Sequence, residues 1–357
     1  MANSFCEKKE SPILMFLDRV TKYMYHSTIM AQIKKIGVLT SGGDAPGMNA
    51  AVRAVVRTAL ARGMKIAGIK KGYQGLLNEE IVDMDSRSVS KIIERGGTVL
   101  GTARSEEFMP DSGKKKGADI CRKHGIEALI VIGGDGSYKG ALGLSKHGIN
   151  VVGIPATIDL DIACTEYTIG FDTAVNTAMQ AIDKVKDTSA SHERCSIIEV
   201  MGRHAGYIAL WCGMTNGAED ILIPEDTDGF DVDKIAKNII DNRKKGKVHH
   251  IIIKAEGTEM DSTDLAKKIE AATKIETRAT VLGYIQRGGS PSAKDRYYAS
   301  IMGAYAVDLL HQGKENRIVC YREGNFIDMD IDEALAEPKK GIDAYQLKVA
   351  RLLSAEL

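Results

Sequence analysis

From residue 34 onward, short β-branched runs alternate with segments of helical period, and run after run ends in a loop of glycine and charge. Residues 36–40 lead into Ser41-Gly42-Gly43-Asp44-Ala45-Pro46-Gly47, and residues 128–132 into Gly133-Gly134-Asp135-Gly136-Ser137. Residues 151–154 are followed by Thr157-Ile158-Asp159-Leu160-Asp161, and residues 196–200 by Met201-Gly202-Arg203-His204-Ala205-Gly206. Residues 251–255 lead to Glu256-Gly257, and residues 280–285 to Gln286-Arg287-Gly288-Gly289. This alternation predicts an α/β fold of mostly parallel sheets covered by helices. In open sheets of that kind ligands bind beyond the carboxyl ends of the strands, so these loops are expected to converge on one crevice.

The 357 residues, 44% of them hydrophobic, suffice for two packed α/β domains with cores of their own. Lys plus Arg and Asp plus Glu both number 48, so no global field draws nucleic acid or an anionic membrane, and small-molecule chemistry is expected. Six scattered cysteines without a Cys-x-x-Cys pair read as reduced thiols of a cytoplasmic protein. No apolar run approaches the roughly 18 residues of a membrane span. The short apolar patch at 12–17 is flanked by Glu7, Glu10 and Asp18 and lacks a cleavage site, which argues against a secretory signal. Met30-Ala31-Gln32 reads as an alternative start, making residues 1–30 an upstream extension or a disordered tail.

Each loop has its own chemistry. Residues 41–47 open a helix over 49–61 with Val52, Val55, Val56 and Leu60 on its apolar face, so free amides at its start suit an anion. A tight βα turn accounts for that loop as well. Gly133-Gly134-Asp135-Gly136-Ser137 adds a carboxylate for magnesium beside glycines that let a triphosphate approach the backbone. Asp159 and Asp161 stand at i and i+2 beyond a buried run, suited to a general base and a metal's shell, or to a solvated turn. Arg104, Arg194, Arg203, Arg278 and Arg287 adjoin glycines, small residues or strand ends, where a planar fork grips phosphate.

Read together, Ser41-Gly42-Gly43-Asp44-Ala45-Pro46-Gly47-Met48-Asn49, Gly133-Gly134-Asp135-Gly136-Ser137, Glu199-Val200-Met201-Gly202-Arg203 and Gln286-Arg287-Gly288-Gly289-Ser290-Pro291 resemble bacterial ATP-dependent 6-phosphofructokinase, from about residue 33 to near the C-terminus. The resemblance implies two Rossmann-like doubly wound domains with the active site in the cleft between them. Residues 31–170 plus about 286–336 would form the larger, ATP-binding one, and about 171–285 plus 337–357 the smaller, sugar-phosphate-binding one. It implies transfer of the γ-phosphoryl of MgATP to the 1-hydroxyl of fructose 6-phosphate, a step of glycolysis.

Gly43, Tyr73, Arg104, Asp135, Gly136, Ser137 and Gly140 match nucleotide positions, with Asp135 the metal carboxylate. Asp159 matches the general base, supported by Thr157 and Asp161, while Arg203 and Arg104 match groups that neutralise the transferring phosphoryl. Arg194, Met201, Gly202, Arg203, Glu256, Arg278, Tyr284 and Arg287, with Thr157 and Asp159, match sugar-phosphate positions. In the family the counterparts of Arg194 and Arg278 come from a neighbouring subunit, which implies a homotetramer. Arg53, Arg57, Lys186, Glu219, Lys245 and Lys247 fall at the effector site, for ADP, GDP or phosphoenolpyruvate.

This chain departs from the family's pattern at four positions. Leu160 separates the two acids where the family has asparagine, Tyr284 replaces a histidine, and Ser86 and Lys186 replace effector-site arginines. Pyrophosphate-using relatives carry aspartate at the position of Gly136 and lysine at that of Ala156, so this chain keeps room for ATP. Two other readings stay open on the residues: an NAD or lipid kinase, which shares the Gly-Gly-Asp-Gly turn, and a catalytically weak paralogue that regulates an active partner.

Overall fold

The computed structural model describes residues 33–226, 231–339 and 341–354, so the expected extension over residues 1–30 lies outside the described residues. The first run forms β1 (Lys35–Thr40), buried along nearly its whole length as a strand covered on both faces must be. Its glycine loop feeds α1 (Met48–Ala61), which buries Val52, Val55 and Val56. Leu60 stays 36% exposed, so the packed stripe is narrower than the sequence period predicts. β2 (Lys65–Ile69), α2 (Gly72–Leu77) and β3 (Ile81–Met84) follow, then α3 (Asp111–Lys123), β4 (Ala128–Gly133), α4 (Asp135–Ser145), β5 (Asn150–Thr157), the short β6 (Ile169–Gly170) and the long α5 (Phe171–Ser191).

A second group comprises β7 (Cys195–Val200), α6 (Tyr207–Asn216), β8 (Asp220–Leu222), α7 (Val232–Lys244), β9 (His250–Ala255), α8 (Ser262–Thr273) and β10 (Thr277–Val281). The chain then forms α9 (Ala293–His311), β11 (Arg317–Arg322), β12 (Asn325–Asp330), α10 (Ile331–Ala336) and α11 (Ala344–Ser354).

The strands make two sheets. The larger runs β12-β11-β5-β4-β1-β2-β3, with β6 beside β5, and is parallel except where β3 and β12 close its edges. The smaller, β10-β7-β9-β8, is parallel throughout. From β1 the chain moves outward to β2 and β3 and then crosses to β4 on the other side. The loops after β1 and β4 therefore diverge around a topological switch point, where a doubly wound sheet takes its ligand. In the smaller sheet β7 holds the same position, between β9 and β10.

One apolar cluster continues from Val152 and Ile154 of the larger sheet through Ala174, Ala178 and Ile182 of α5 to Ile198 and Ile253 of the smaller. Polar pinning accompanies it. The fully buried carboxylate of Asp295, in the first turn of α9, accepts from the hydroxyl of Tyr167 at 2.6 Å and the amides of Gly170 at 2.7 Å and Thr173 at 2.8 Å. The five cysteines among the described residues are buried free thiols.

One predicted strand is displaced. The run at 280–285 is strand only to Val281, and Gly283, at φ 54°, turns the chain into a 3-10 helix over Gly283–Arg287. An L side chain rarely adopts that angle, so extension ends there. Tyr284 and Ile285 consequently point outward, 77% and 55% exposed, and Arg278 lies inside β10 rather than ahead of a strand.

Candidate active site

Two glycine loops lie side by side at the switch point. The amide of Ser41 donates to the carbonyl of Ile132 at 2.9 Å, tying the end of β1 to that of β4. A Cβ on Gly133 would stand 2.4 Å from the Ser41 carbonyl oxygen, so the loops meet this closely only because Gly133 has none. Around Gly134 and Gly136 a Cβ would meet nothing within 4 Å, which leaves open space over the first turn of α4. The free amides and positive dipole end of α4 face that space, an arrangement suited to phosphate.

Ser137 is buried at the base of this cradle, and Tyr73 donates to its carbonyl at 2.5 Å. The Tyr73 ring stacks on Phe108 at 4.1 Å and lies against Gly140, where a Cβ would collide with it at 2.6 Å. Tyr73 and Gly140 thus form a buried packing pair beneath α4. Arg104 is exposed on the neighbouring loop, with no ion pair or hydrogen bond among the described residues. That loop is tied to the cradle by Thr102, whose hydroxyl donates to the carbonyl of Gly42 at 2.7 Å.

Beyond β5 the chain turns sharply. Leu160 has φ 55°, the left-handed region, and this turn sets the half-buried Asp159 and Asp161 on the crevice. The amide of Asp159 donates to Thr157 Oγ1 at 3.2 Å. Burial, and then the nearby charge of Asp161, push the Asp159 carboxyl up to about 6, against the opposing pull of Arg287 and Arg203. Burial and Asp161 likewise raise Asp135 above the ordinary carboxylate range.

Asp161 and Asp135 converge on one cation that the motifs did not single out. Lys339 Nζ lies 3.1 Å from Asp161 Oδ2 and 3.8 Å from Asp135 Oδ2. The two carboxylates thus already share a cation, and hard oxygen donors suit magnesium. No group of three or more His, Cys, Asp or Glu side chains among the described residues forms a metal cage. A magnesium ion held by two acids would complete its shell with phosphate oxygens and water.

The smaller sheet supplies the opposite wall. Glu256, just past β9, accepts on Oε1 from the amides of Gly202 at 3.2 Å and Arg203 at 2.7 Å. Gln286, fully buried, accepts from the amide of Met201 at 3.3 Å and so joins the turn after β7 to the 3-10 helix. The Arg287 guanidinium comes within 3.4 Å of where a Gly43 Cβ would stand, and it lies 5.5 Å over the Tyr284 ring. Gly43, Asp159, Arg203, Glu256 and Arg287 therefore share the crevice.

Other expected residues stand elsewhere in the chain. Arg194 and Arg278 grip Glu276, at 2.7 and 2.6 Å, beside the start of β7. That is the opposite end of a six-residue strand from Met201, about 20 Å away. A cavity of about 880 Å³, lined by His192, Glu193, Arg243, Lys274 and Glu276, opens there. The effector-site set is also divided. Arg53 and Arg57 ride on α1, and Ser86 follows β3, whereas Lys186 donates to the Asn216 carbonyl, Lys247 pairs with Glu219 at 2.6 Å, and Lys245 caps α7 beside the smaller sheet.

The family described as Phosphofructokinase matches residues 35–310. An ATP-dependent 6-phosphofructokinase of Clostridium tetani is 56% identical over 322 residues, 90% of this chain and 100% of that protein. The structure of phosphofructokinase from Saccharomyces cerevisiae superimposes with a TM-score of 0.77 at 34% identity, over 90% of this chain. This chain spans only 46% of that yeast chain. A pyrophosphate-dependent phosphofructokinase from Marinobacter aquaeolei, at 24% identity and a TM-score of 0.78, over 91% of this chain and 92% of its own, shares the fold. On the family match and the identity to the clostridial protein, the chain belongs to the phosphofructokinase family.

Proposed function

We propose that this chain transfers the γ-phosphoryl group of ATP, with magnesium, to the 1-hydroxyl of fructose 6-phosphate, giving fructose 1,6-bisphosphate and ADP. The observation that carries the reading is the setting of Asp159: a carboxylate raised by burial, facing the arginines of the opposite wall and the glycine cradle.

Asp159 takes the proton of the 1-hydroxyl as that oxygen bonds to the γ-phosphorus and the bond from phosphorus to the β–γ bridging oxygen breaks. Arg203 and Arg104 neutralise the equatorial oxygens, and Thr157 orients the turn that carries the base. Asp135 and Asp161 would hold the magnesium ion, which neutralises phosphate charge when bound. Gly43, Gly136 and Ser137 receive the phosphates, above the packing pair of Tyr73 and Gly140. Met201, Gly202, Glu256, Tyr284 and Arg287 shape the sugar-phosphate half.

ATP is the donor in this reading because Gly136 carries no side chain over the cradle and Ala156 is small, so neither occupies the space an α-phosphate needs. Division into a nucleotide-binding and a sugar-phosphate-binding domain, with Arg194 and Arg278 reaching a neighbouring subunit of a homotetramer, belongs to the same proposal. So do a cytoplasmic setting and an effector site that Arg53 and Arg57 complete across a subunit contact with Lys186, Glu219, Lys245 and Lys247. No helix among the described residues is long and apolar enough to cross a membrane.

The test is product formation from fructose 6-phosphate and magnesium, with ATP and pyrophosphate offered separately. Turnover with ATP alone is expected. Turnover with pyrophosphate alone, or with neither donor, overturns the reading.

A further inference from the structure

The ammonium of Lys339 stands where two crevice carboxylates meet, one opening α4 and one in the loop beyond β5, nearest Asp161 and within reach of Asp135. Its placement is braced. Glu337, two residues earlier, pairs with Arg322 of β11, and the Nε of that guanidinium donates to the Cys164 carbonyl at 2.8 Å, on the loop that also carries Asp161. The segment after α10 is thereby held against the loop of the acids, with the Lys339 side chain itself 65% exposed and able to swing away.

Resting on the reading of Asp135 and Asp161 as the metal carboxylates, we propose that Lys339 is a positioning residue, the tethered counter-cation of that pair. It holds the two acids in place until the divalent ion arrives with the nucleotide. Without it, two neighbouring carboxylates would repel each other and bind a bare divalent ion readily. With it, the ion has to displace an ammonium, which a metal–nucleotide complex does more easily because its phosphates offer the lysine a new partner. The consequence is a site that favours the metal–nucleotide complex over the free metal.

The experiment measures binding of Mn2+ alone to the full-length protein, from the paramagnetic resonance signal of the free ion, without nucleotide. Lys339→Met is expected to bind Mn2+ about three- to thirty-fold more tightly than the parent, the effect of removing one charge from a half-solvated site. Lys339→Arg, which keeps the charge, should bind as the parent does. Adding Asp135→Asn to Lys339→Met should abolish the gain. Equal affinity in the parent and Lys339→Met, or a gain that survives Asp135→Asn, overturns the proposal. Kinase turnover of the parent is assayed separately, so a failed functional reading is distinguishable from a failed role for Lys339.

Discussion

The backbone amide of Arg203 donates to Glu256 Oε1 at 2.7 Å, so a carboxylate from the β9 loop fixes the turn after β7. That turn is strained: Gly202 has φ 139° and Arg203 φ 57°. The same oxygen also takes the Gly202 amide. Removing it frees both amides, and the Arg203 side chain would leave the position proposed for it beside the transferring phosphoryl. Glu256→Ala should lower kcat/KM for fructose 6-phosphate by roughly 10- to 150-fold, the equivalent of about 1.5–3 kcal/mol for hydrogen bonds to a charged group. Glu256→Gln keeps an acceptor oxygen and should retain most of the activity. Steady-state kinetics decides, and equal losses in the two variants would assign Glu256 a role through its charge.

Asp159 predicts the pH profile. Its carboxyl titrates near 6, so the basic form declines as pH falls through that value, and kcat/KM should fall about tenfold per unit below it. Asp161→Asn removes the second cause of the rise and should move the acid limb lower. Asp159→Ser should cut turnover by roughly 10²–10⁴-fold while sugar-phosphate binding persists. Stability has the opposite sense. The folded protein binds the proton more tightly than an unfolded chain with the ordinary value of 3.8, so this carboxyl costs stability as pH rises from there through about 6. Asp159→Asn should therefore raise the melting temperature at pH 7 and leave it unchanged near pH 3.5.

The sequence was most legible where backbone chemistry is local. The runs at 36–40, 128–132, 196–200 and 251–255 are each strands to within a residue or two, because continuous β-branched burial followed by glycine has few other solutions. The run at 280–285 misled because Gly283 reads as an ordinary residue among apolar neighbours until its positive φ is seen. Lys339 was invisible for a different reason. Its partners lie 178 and 204 positions away, and nothing in residues 337–339 marks a crevice. Nor does the motif at 286–289 reveal that Gln286 is a buried strut while Arg287 faces the cradle. Burial separates those two neighbours, and burial depends on the whole fold.

Leu160 carries a backbone conformation better suited to asparagine or glycine. A left-handed residue with a Cβ costs roughly 1–2 kcal/mol, less for asparagine, whose side chain bonds locally. Leu160 offsets part of this by packing against the main apolar cluster. Leu160→Asn relieves strain and at the same time gives up that apolar packing, so it should change stability by no more than about 1 kcal/mol. Leu160→Val branches at Cβ in a region that disfavours branching and should cost more, about 1–2 kcal/mol. Urea unfolding of the three proteins compares them, and a valine variant as stable as the parent would remove strain at this turn from the account.

Arg194 and Arg278 share Glu276, and together they hold its carboxyl below the ordinary range. Within one chain this cluster sits a strand's length from Met201, at the end of β7 away from the crevice, too far for either guanidinium to reach a substrate held beside Met201. If both arginines serve a neighbouring subunit, damage to the base and damage to the arginines fall on different chains of one site. Asp159→Ser and Arg278→Ala proteins should each be nearly inactive alone. Unfolded together and refolded as a mixture, they should recover activity, since random assembly gives roughly a quarter of the sites an intact base and an intact arginine. Mixing without reassembly serves as the control. Activity that never exceeds the sum of the two parents would place Arg278 outside the shared site and leave its pairing with Glu276 a structural one.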